Sequence, residues 1–259
     1  MKTFTQAIVA GLLLMITANA AAQNVPRVIH VFVALADNKH QGIVPVPAAI
    51  GNGDDPGRNL YWGAGGGVKT FFAKSKEWEL IWTGKPLPPI LERCIFKHRT
   101  ANVYLVADAY QGAQIQQAIA SFLDAASGGP PLRIRLMSPN LSINAGGSSE
   151  VVAYVGHDGL MDFTLPKLPH NQAESRREAI ILACASKQYF TSALRASGAT
   201  PLLWTTNLMA PEAYTLKAAL DGWIVNESPE QIRQRAAEAY SKYQKCSVKA
   251  AKGLLVTGW

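Results

Sequence analysis

Cysteine is scarce in this 259-residue chain, with only Cys94, Cys184 and Cys246. An odd count excludes a fully paired disulfide framework and fits one bridge plus one free thiol. Beyond the amino terminus no apolar run approaches the length of a membrane span. No Gly-x-Ser-x-Gly occurs, so the nucleophile elbow of the serine α/β hydrolases is missing. There is neither an internal repeat nor a low-complexity linker. The one dense glycine cluster, Gly63-Ala64-Gly65-Gly66-Gly67, follows only Leu60-Tyr61-Trp62 and has no acidic ribose partner, which excludes a dinucleotide loop. The net charge of +7 is spread along the chain, as expected of solvated helix faces rather than a nucleic-acid surface.

The amino terminus carries Lys2, an apolar run over residues 7–16, and small residues to Ala22 with Ala-x-Ala patterns ending at Ala20 or Ala22. These are the three parts of a secretory signal peptide, expected to be removed from residues 1–22. The absence of a cysteine near that site gives no lipid attachment signal. The mature chain is therefore expected in a periplasm or outside the cell.

Continuous apolar runs mark strands buried on both faces, as in a parallel sheet covered by helices. They occur at residues 28–35, 102–107, 151–155, 179–184 and 201–205. Strands are also expected at 79–82 and 90–96, around a Pro-rich turn, and the segment 132–149 reads as irregular with a possible edge strand at 133–137. Apolar residues at Ile115, Ile119, Phe122 and Leu123 have helical spacing and predict an amphipathic helix over 112–126. Further helices are expected over 68–75, 187–196, from Pro211 to about Leu220, and over 232–243 after the start signal Ser228-Pro229-Glu230-Gln231. Strand alternating with helix gives an α/β class, a three-layer α/β/α arrangement with a mostly parallel central sheet. Residues 23–225 are expected to form that domain and 226–259 a carboxyl-terminal helical extension.

Two of these runs end in chemistry. Val151-Val152-Ala153-Tyr154-Val155 leads into Gly156-His157-Asp158-Gly159, and Ala179-Ile180-Ile181-Leu182-Ala183 into Cys184. If the two strands are parallel neighbours, an imidazole and a thiol arrive at the same carboxyl edge, where open α/β folds place their sites. The thiolate is the nucleophilic form, and an adjacent imidazole is what draws the proton from a thiol. Cys184 and His157 are thus a candidate dyad; the bland alternatives are a buried core cysteine and a loop histidine satisfied by backbone. Asp54 and Asp55, in the long Gly- and Pro-punctuated loop 37–57, are explained by turn chemistry or by a role in a pocket wall or cation site. A metal site of His157, Asp158, His170 and Cys184 has suitable ligand types but no recognised spacing, and no metal or other cofactor is expected.

The order of these parts resembles the caspase-like fold of the clan of cysteine peptidases that includes caspases, metacaspases, legumains and gingipains. The likeness runs from about Val28 to Leu220. Tyr154-Val155-Gly156-His157 is similar to the family's apolar block ending in Gly-His, and Ile181-Leu182-Ala183-Cys184 to the second block ending in Ala-Cys. Trp204-Thr205-Thr206 and the helix after it match the unit beyond the nucleophile. The resemblance implies a peptidase with Cys184 as nucleophile and His157 as base, acting on a peptide or protein substrate through an acyl-enzyme. It implies an oxyanion held by backbone N–H groups near Cys184 and after the histidine. The chain departs here, since Asp158 stands where the family has glycine and Gly159 comes one place later. The implied donors are the backbones of Asp158, Gly159 and Cys184. Asp54, Asp55 and Asp162 are candidates for the substrate pocket, where they would favour a basic side chain. With Cys184 kept free, the bridge expected in an exported protein is Cys94 to Cys246. Two other classes stay open: a caspase-fold protein that binds a peptide or protein partner without cleaving it, and an unrelated exported α/β hydrolase or binding protein.

Overall fold

In a computed structural model, residues 25–137, 140–172 and 176–259 are described. The expected signal peptide lies outside them. Ten strands and six α-helices follow one another in the described chain. They are β1 (Arg27–Ala34), α1 (Val68–Ala73), β2 (Trp78–Gly84), β3 (Ile90–His98), β4 (Val103–Tyr110), α2 (Ile115–Ala126), β5 (Pro131–Leu136), β6 (Leu141–Gly146), β7 (Val151–Val155), β8 (Glu178–Leu182), α3 (Ser186–Ser197), β9 (Thr200–Thr205), α4 (Ala213–Ile224), α5 (Pro229–Gln244), α6 (Val248–Leu254) and β10 (Leu255–Val256).

Eight strands form one sheet in the order β10-β9-β8-β7-β1-β4-β3-β2. The inner five, β9-β8-β7-β1-β4, are parallel, and antiparallel strands finish both edges. Side chains alternate across the pleat, so each apolar run feeds two cores. Ile29, Val31 and Val33 of β1 face one core with Phe72 of α1, Leu216 and Leu220 of α4, and Ala236 of α5. Phe32 and Ala34 face the other, with Ile119 and Phe122 of α2 and Phe190 and Leu194 of α3. The result is a three-layer α/β/α fold.

Four features depart from the sequence expectations. Residues 132–149 hold a regular antiparallel hairpin, β5 with β6, whose Leu136, Ile143 and Ala145 close a third core over β1, β3 and β4. The helix expected from Pro211 starts at Ala213, with Glu212 at the cap position. The carboxyl-terminal segment is more than helical, because β10 pairs with β9 through Leu255 and Val256. The Cys94–Cys246 bridge is not formed: all three cysteines are free. Cys94 is buried in the middle of β3, second strand from one edge, with its thiol toward Thr83 Oγ1 at 3.8 Å. Cys246 follows α5, which packs on α4 and on β10 at the other edge. A bridge needs Cα atoms within roughly 7 Å, which this separation across the sheet does not provide.

Beneath the hairpin lies a buried polar cluster. Arg93 donates to both carboxylate oxygens of Asp108, Nε to Oδ1 at 2.5 Å and Nη2 to Oδ2 at 2.7 Å. Asp108 Oδ2 also lies 3.1 Å from His30 Nε2, and His30 Nδ1 accepts the Gly146 N–H of β6 at 3.1 Å. Accepting at Nδ1 places the imidazole proton on Nε2, toward the carboxylate. Burial pushes Asp108 up, but hydrogen bonds from Arg93 and His30 outweigh it and hold the carboxyl below its ordinary value. His30 thus has a structural partner within the sheet, where it lies opposite Val152 of β7.

Candidate active site

β7 and β8 pair in parallel with Val155 opposite Leu182. His157 and Cys184 each lie two residues further on, so they sit at the same level of the carboxyl edge. Strand parity also puts both on the α4 side of the sheet, continuing Val155 and Leu182. Both line one cavity of about 300 Å³.

The backbone that presents Cys184 is tightly held. After Cys184, Ala185 adopts φ +48, ψ +32, a left-handed conformation that costs a residue with a Cβ roughly 1–2 kcal/mol. Ala185 N–H donates to Asn207 O at 2.9 Å. Ser186 Oγ donates to Ile181 O at 3.0 Å and accepts Thr205 N–H at 3.0 Å, while Ser186 N–H donates to Thr205 Oγ1 at 3.1 Å. Thr205 Oγ1 in turn donates to Ala183 O. Ser186 and Thr205 are fully buried, so these bonds are not exchanged for water. They fix the turn from β8 into α3 and with it the thiol. The Cys184 sulfur accepts Met209 N–H at 3.4 Å and donates toward Met209 O at 3.6 Å.

His157 is fixed from two sides. Its Nε2 lies 2.7 Å from Asp162 Oδ2, and its carbonyl accepts the Tyr154 hydroxyl at 2.7 Å. A carboxylate accepts only, so the imidazole proton on that side is Nε2–H, and Nδ1 is left as the basic nitrogen. Asp162 also accepts Gly42 N–H at 3.2 Å, which ties it to the loop after β1. Asp162, expected in the substrate pocket, is held against the histidine and is not among the residues that line the cavity.

Asp158 is fully buried and caps a short 3₁₀ turn, Oδ1 accepting Leu160 N–H at 3.0 Å. Its Oδ2 has no partner among the described residues. Burial pushes this carboxyl up to about 7, with the Leu160 N–H working against the rise and the charge of Asp162 adding to it. Its side chain is turned inward, away from the cavity lining. Gly159 N–H is committed to His157 O at 3.1 Å, which removes it from the expected oxyanion donors and leaves the Asp158 and Cys184 backbones.

Asp54 and Asp55 are placed elsewhere. Asp54 accepts Gln111 Nε2 at 2.6 Å, and Asp55 pairs with Arg58 at 2.7 Å, which lowers it. Neither lines the cavity: Asp55 serves its own turn, accepting Gly57 N–H at 3.0 Å, and Asp54 ties the loop to Gln111 just after β4. Two lining residues escaped sequence reasoning, Tyr61 and Glu212. Burial, then negative charge on Cys184 and Glu212, pushes the Tyr61 phenol far up, so it stays protonated as a donor in the cavity. The only sequence signals were indirect: Tyr61 precedes the glycine cluster and Glu212 opens a helix.

Among the described residues no group of three or more His, Cys, Asp or Glu side chains is placed to hold a metal ion. No helix there is long and apolar enough to cross a membrane. Comparison with protein-family models, curated proteins and solved structures gave no match.

Proposed function

We propose that the chain is an exported cysteine peptidase of caspase-like type, with Cys184 as nucleophile, His157 as base and Asp162 as the carboxylate that orients the base. The observation that carries this is the placement of His157 and Cys184 at one level and on one side of two paired parallel strands, facing a common cavity. His157 Nδ1 takes the thiol proton as the sulfur turns from Met209 toward a peptide carbonyl. A C–S bond forms, and the oxyanion is met by the backbone N–H groups of Asp158 and Cys184. His157 then gives its proton to the leaving amine as the C–N bond breaks, producing a thioester. Water, deprotonated by the same imidazole, adds to the thioester carbonyl; the C–S bond then breaks, the carboxylic acid product leaves, and the sulfur takes the proton back as a thiol. Val44, Met161 and Leu208, exposed by 84%, 41% and 68%, offer apolar contacts at the cavity for a peptide. Export rests on the signal-peptide pattern of residues 1–22.

A peptidyl acyloxymethyl ketone tests the assignment. It is expected to modify Cys184 in the wild type, not at all in Cys184→Ala, and far more slowly in His157→Ala. Reaction at another cysteine, or an unchanged rate in His157→Ala, would reject it. A second reading, peptide binding without cleavage, is supported by the two hydrogen bonds that hold the thiol to Met209. It predicts peptide binding with no covalent product.

A further inference from the structure

We propose that Asp158 is a positioning residue: its uncharged carboxyl closes the turn that sets Asp162 against His157, and the pair is aligned only while Asp158 keeps its proton. The inference rests on the peptidase proposal for the same site. Asp158 stands at φ −78, ψ +87, close to an inverse γ-turn, with Gly159 N–H reaching back to His157 O at 3.1 Å. Its Oδ1 accepts Leu160 N–H at 3.0 Å and its carbonyl accepts Met161 N–H at 3.1 Å, so side chain and backbone together close the turn Gly159–Met161. Asp162 N–H donates to Gly159 O at 2.9 Å, and from there the Asp162 carboxylate reaches His157 Nε2 at 2.7 Å. The segment from His157 to Asp162 is thus one closed loop of bonds, with Asp158 as its fully buried carboxyl.

The surroundings hold nothing to balance a charge on Asp158. Its Oδ2 has no partner among the described residues. Asp162 opposes a second negative charge, and Tyr154 of β7 already gives its hydroxyl proton to His157 O at 2.7 Å. The helices packed against the turn, α2 and α3, bring no cation to it. The one charged residue of α2 is Asp124, whose carboxylate lies against Gly129. On α3, Lys187 sits over the Trp204 ring at 5.5 Å and Arg195 over Trp259 at 4.1 Å, while the Tyr189 ring packs on the apolar core. His40, in the loop after β1, is paired with Asp37 at 2.9 Å. Burial accordingly raises Asp158 to about 7, so its charge changes near neutral pH. Once ionised it keeps a single backbone N–H in place of its lost hydration, which does not offset a buried charge. The carboxylate is relieved by turning to water, and the turn Gly159–Met161 opens with it. Asp162 then leaves His157, and nothing fixes which imidazole nitrogen carries the proton.

The test compares the wild type with Asp158→Asn, an uncharged isostere, each checked for folding at every pH by near-ultraviolet circular dichroism. Asp158→Ser, also uncharged and able to accept Leu160 N–H, takes its place should the first variant not fold. Cys184 is modified with a peptidyl acyloxymethyl ketone, and the rate in the variant is divided by that in the wild type. The titrations of Cys184 and His157 are common to both proteins, so the ratio isolates Asp158. It is expected to rise about 10-fold between about pH 6 and about pH 8, as the wild type passes into its ionised form. A flat ratio overturns the proposal and leaves the peptidase standing. Imidazole nitrogen NMR gives a second readout that needs no activity, with the His157 signals identified by their loss in His157→Gln. At about pH 8 the variant is expected to hold its proton on Nε2 and the wild type to show mixed tautomers. The same tautomer in both proteins overturns the proposal. If no probe modifies Cys184, the peptidase proposal fails, and the imidazole signals decide the role of Asp158 alone.

Discussion

His157 Nε2 lies 2.7 Å from Asp162 Oδ2, a bond made within five residues of chain as it leaves β7. The short turn Gly159–Met161 brings the carboxylate back beneath the ring. It fixes which nitrogen carries the proton and so points the basic nitrogen away from Asp162. The site is thus a candidate triad rather than a dyad.

Replacing Asp162 by Asn should therefore slow Cys184 modification by a peptidyl probe by about 10-fold, since a charge-assisted hydrogen bond is weakened but the carboxylate is partly solvated. The readout that separates orientation from simple structural damage is the Asp162→Glu variant, which restores a carboxylate acceptor for Nε2–H and should recover part of the rate. An unaltered rate in Asp162→Asn would remove Asp162 from the mechanism.

Stability should fall as pH rises through the window set by Asp158. Its folded value is about 7 against 3.8 for an ordinary aspartate. Between those values the unfolded chain gives up this proton first, so the folded state is progressively disfavoured, and above about pH 7 the penalty is complete at on the order of 4 kcal/mol. Asp158→Asn keeps an acceptor for Leu160 N–H and cannot ionise. Urea midpoints of variant and wild type should converge near about pH 4 and separate, with the variant higher, by about pH 8. Parallel curves would contradict the buried-acid assignment.

Arg93→Ala should destabilise the fold by about 3–5 kcal/mol, because it leaves Asp108 buried without its main counter-charge. Arg93→Met combined with Asp108→Leu should recover much of that loss. Denaturant unfolding of the two variants measures both effects. A small cost for the single change would mean that His30 and Gly146 carry the cluster by themselves.

Ala185→Gly should raise stability by about 1 kcal/mol, since glycine adopts the left-handed conformation without the Cβ clash. A rise in melting temperature would register the relief, and a fall would show that the alanine methyl packs more usefully than its backbone is strained.

All three thiols should react with a maleimide in denaturant without prior reduction, as follows from their free state. Under native conditions Cys184 should label before Cys94. The latter is pushed up to about 12 chiefly by burial, with the charge of Glu92 adding to it, and is closed to reagent. Peptide mass mapping gives the order, and early labelling of Cys94 would count against the packing of β3.

Much of this architecture was legible locally. The apolar runs of β1, β4, β7, β8 and β9 are five to eight residues long, and the continuous burial of such runs follows from helices on both faces. The Val151–Val155 and Ala179–Ala183 runs also placed His157 and Cys184 just past two strand ends, and the pairing of Val155 with Leu182 then set them at one level and on one side. The hairpin β5–β6 was harder. Both strands alternate, Leu132, Ile134 and Leu136 with Arg133 and Arg135, and Leu141, Ile143 and Ala145 with Ser142 and Asn144. But each run is only six residues long, and the second passes straight into Gly146-Gly147-Ser148-Ser149, which reads as loop.

The sequence by itself determined the α/β class, the strand-ending residues and the scarcity of thiols, because alternation and periodicity act over a few residues. Tertiary structure decided that Asp162 turns to His157 while Asp54 reaches Gln111 and Asp55 stays in its own turn, and that Tyr61 and Glu212 meet Cys184 in one cavity. It also decided that Cys94 and Cys246 remain unbridged. The cavity and the unbridged thiols depend on where segments more than a hundred residues apart are set down by the sheet order, and the Asp162 bond on how one short turn folds back; no apolar periodicity encodes either.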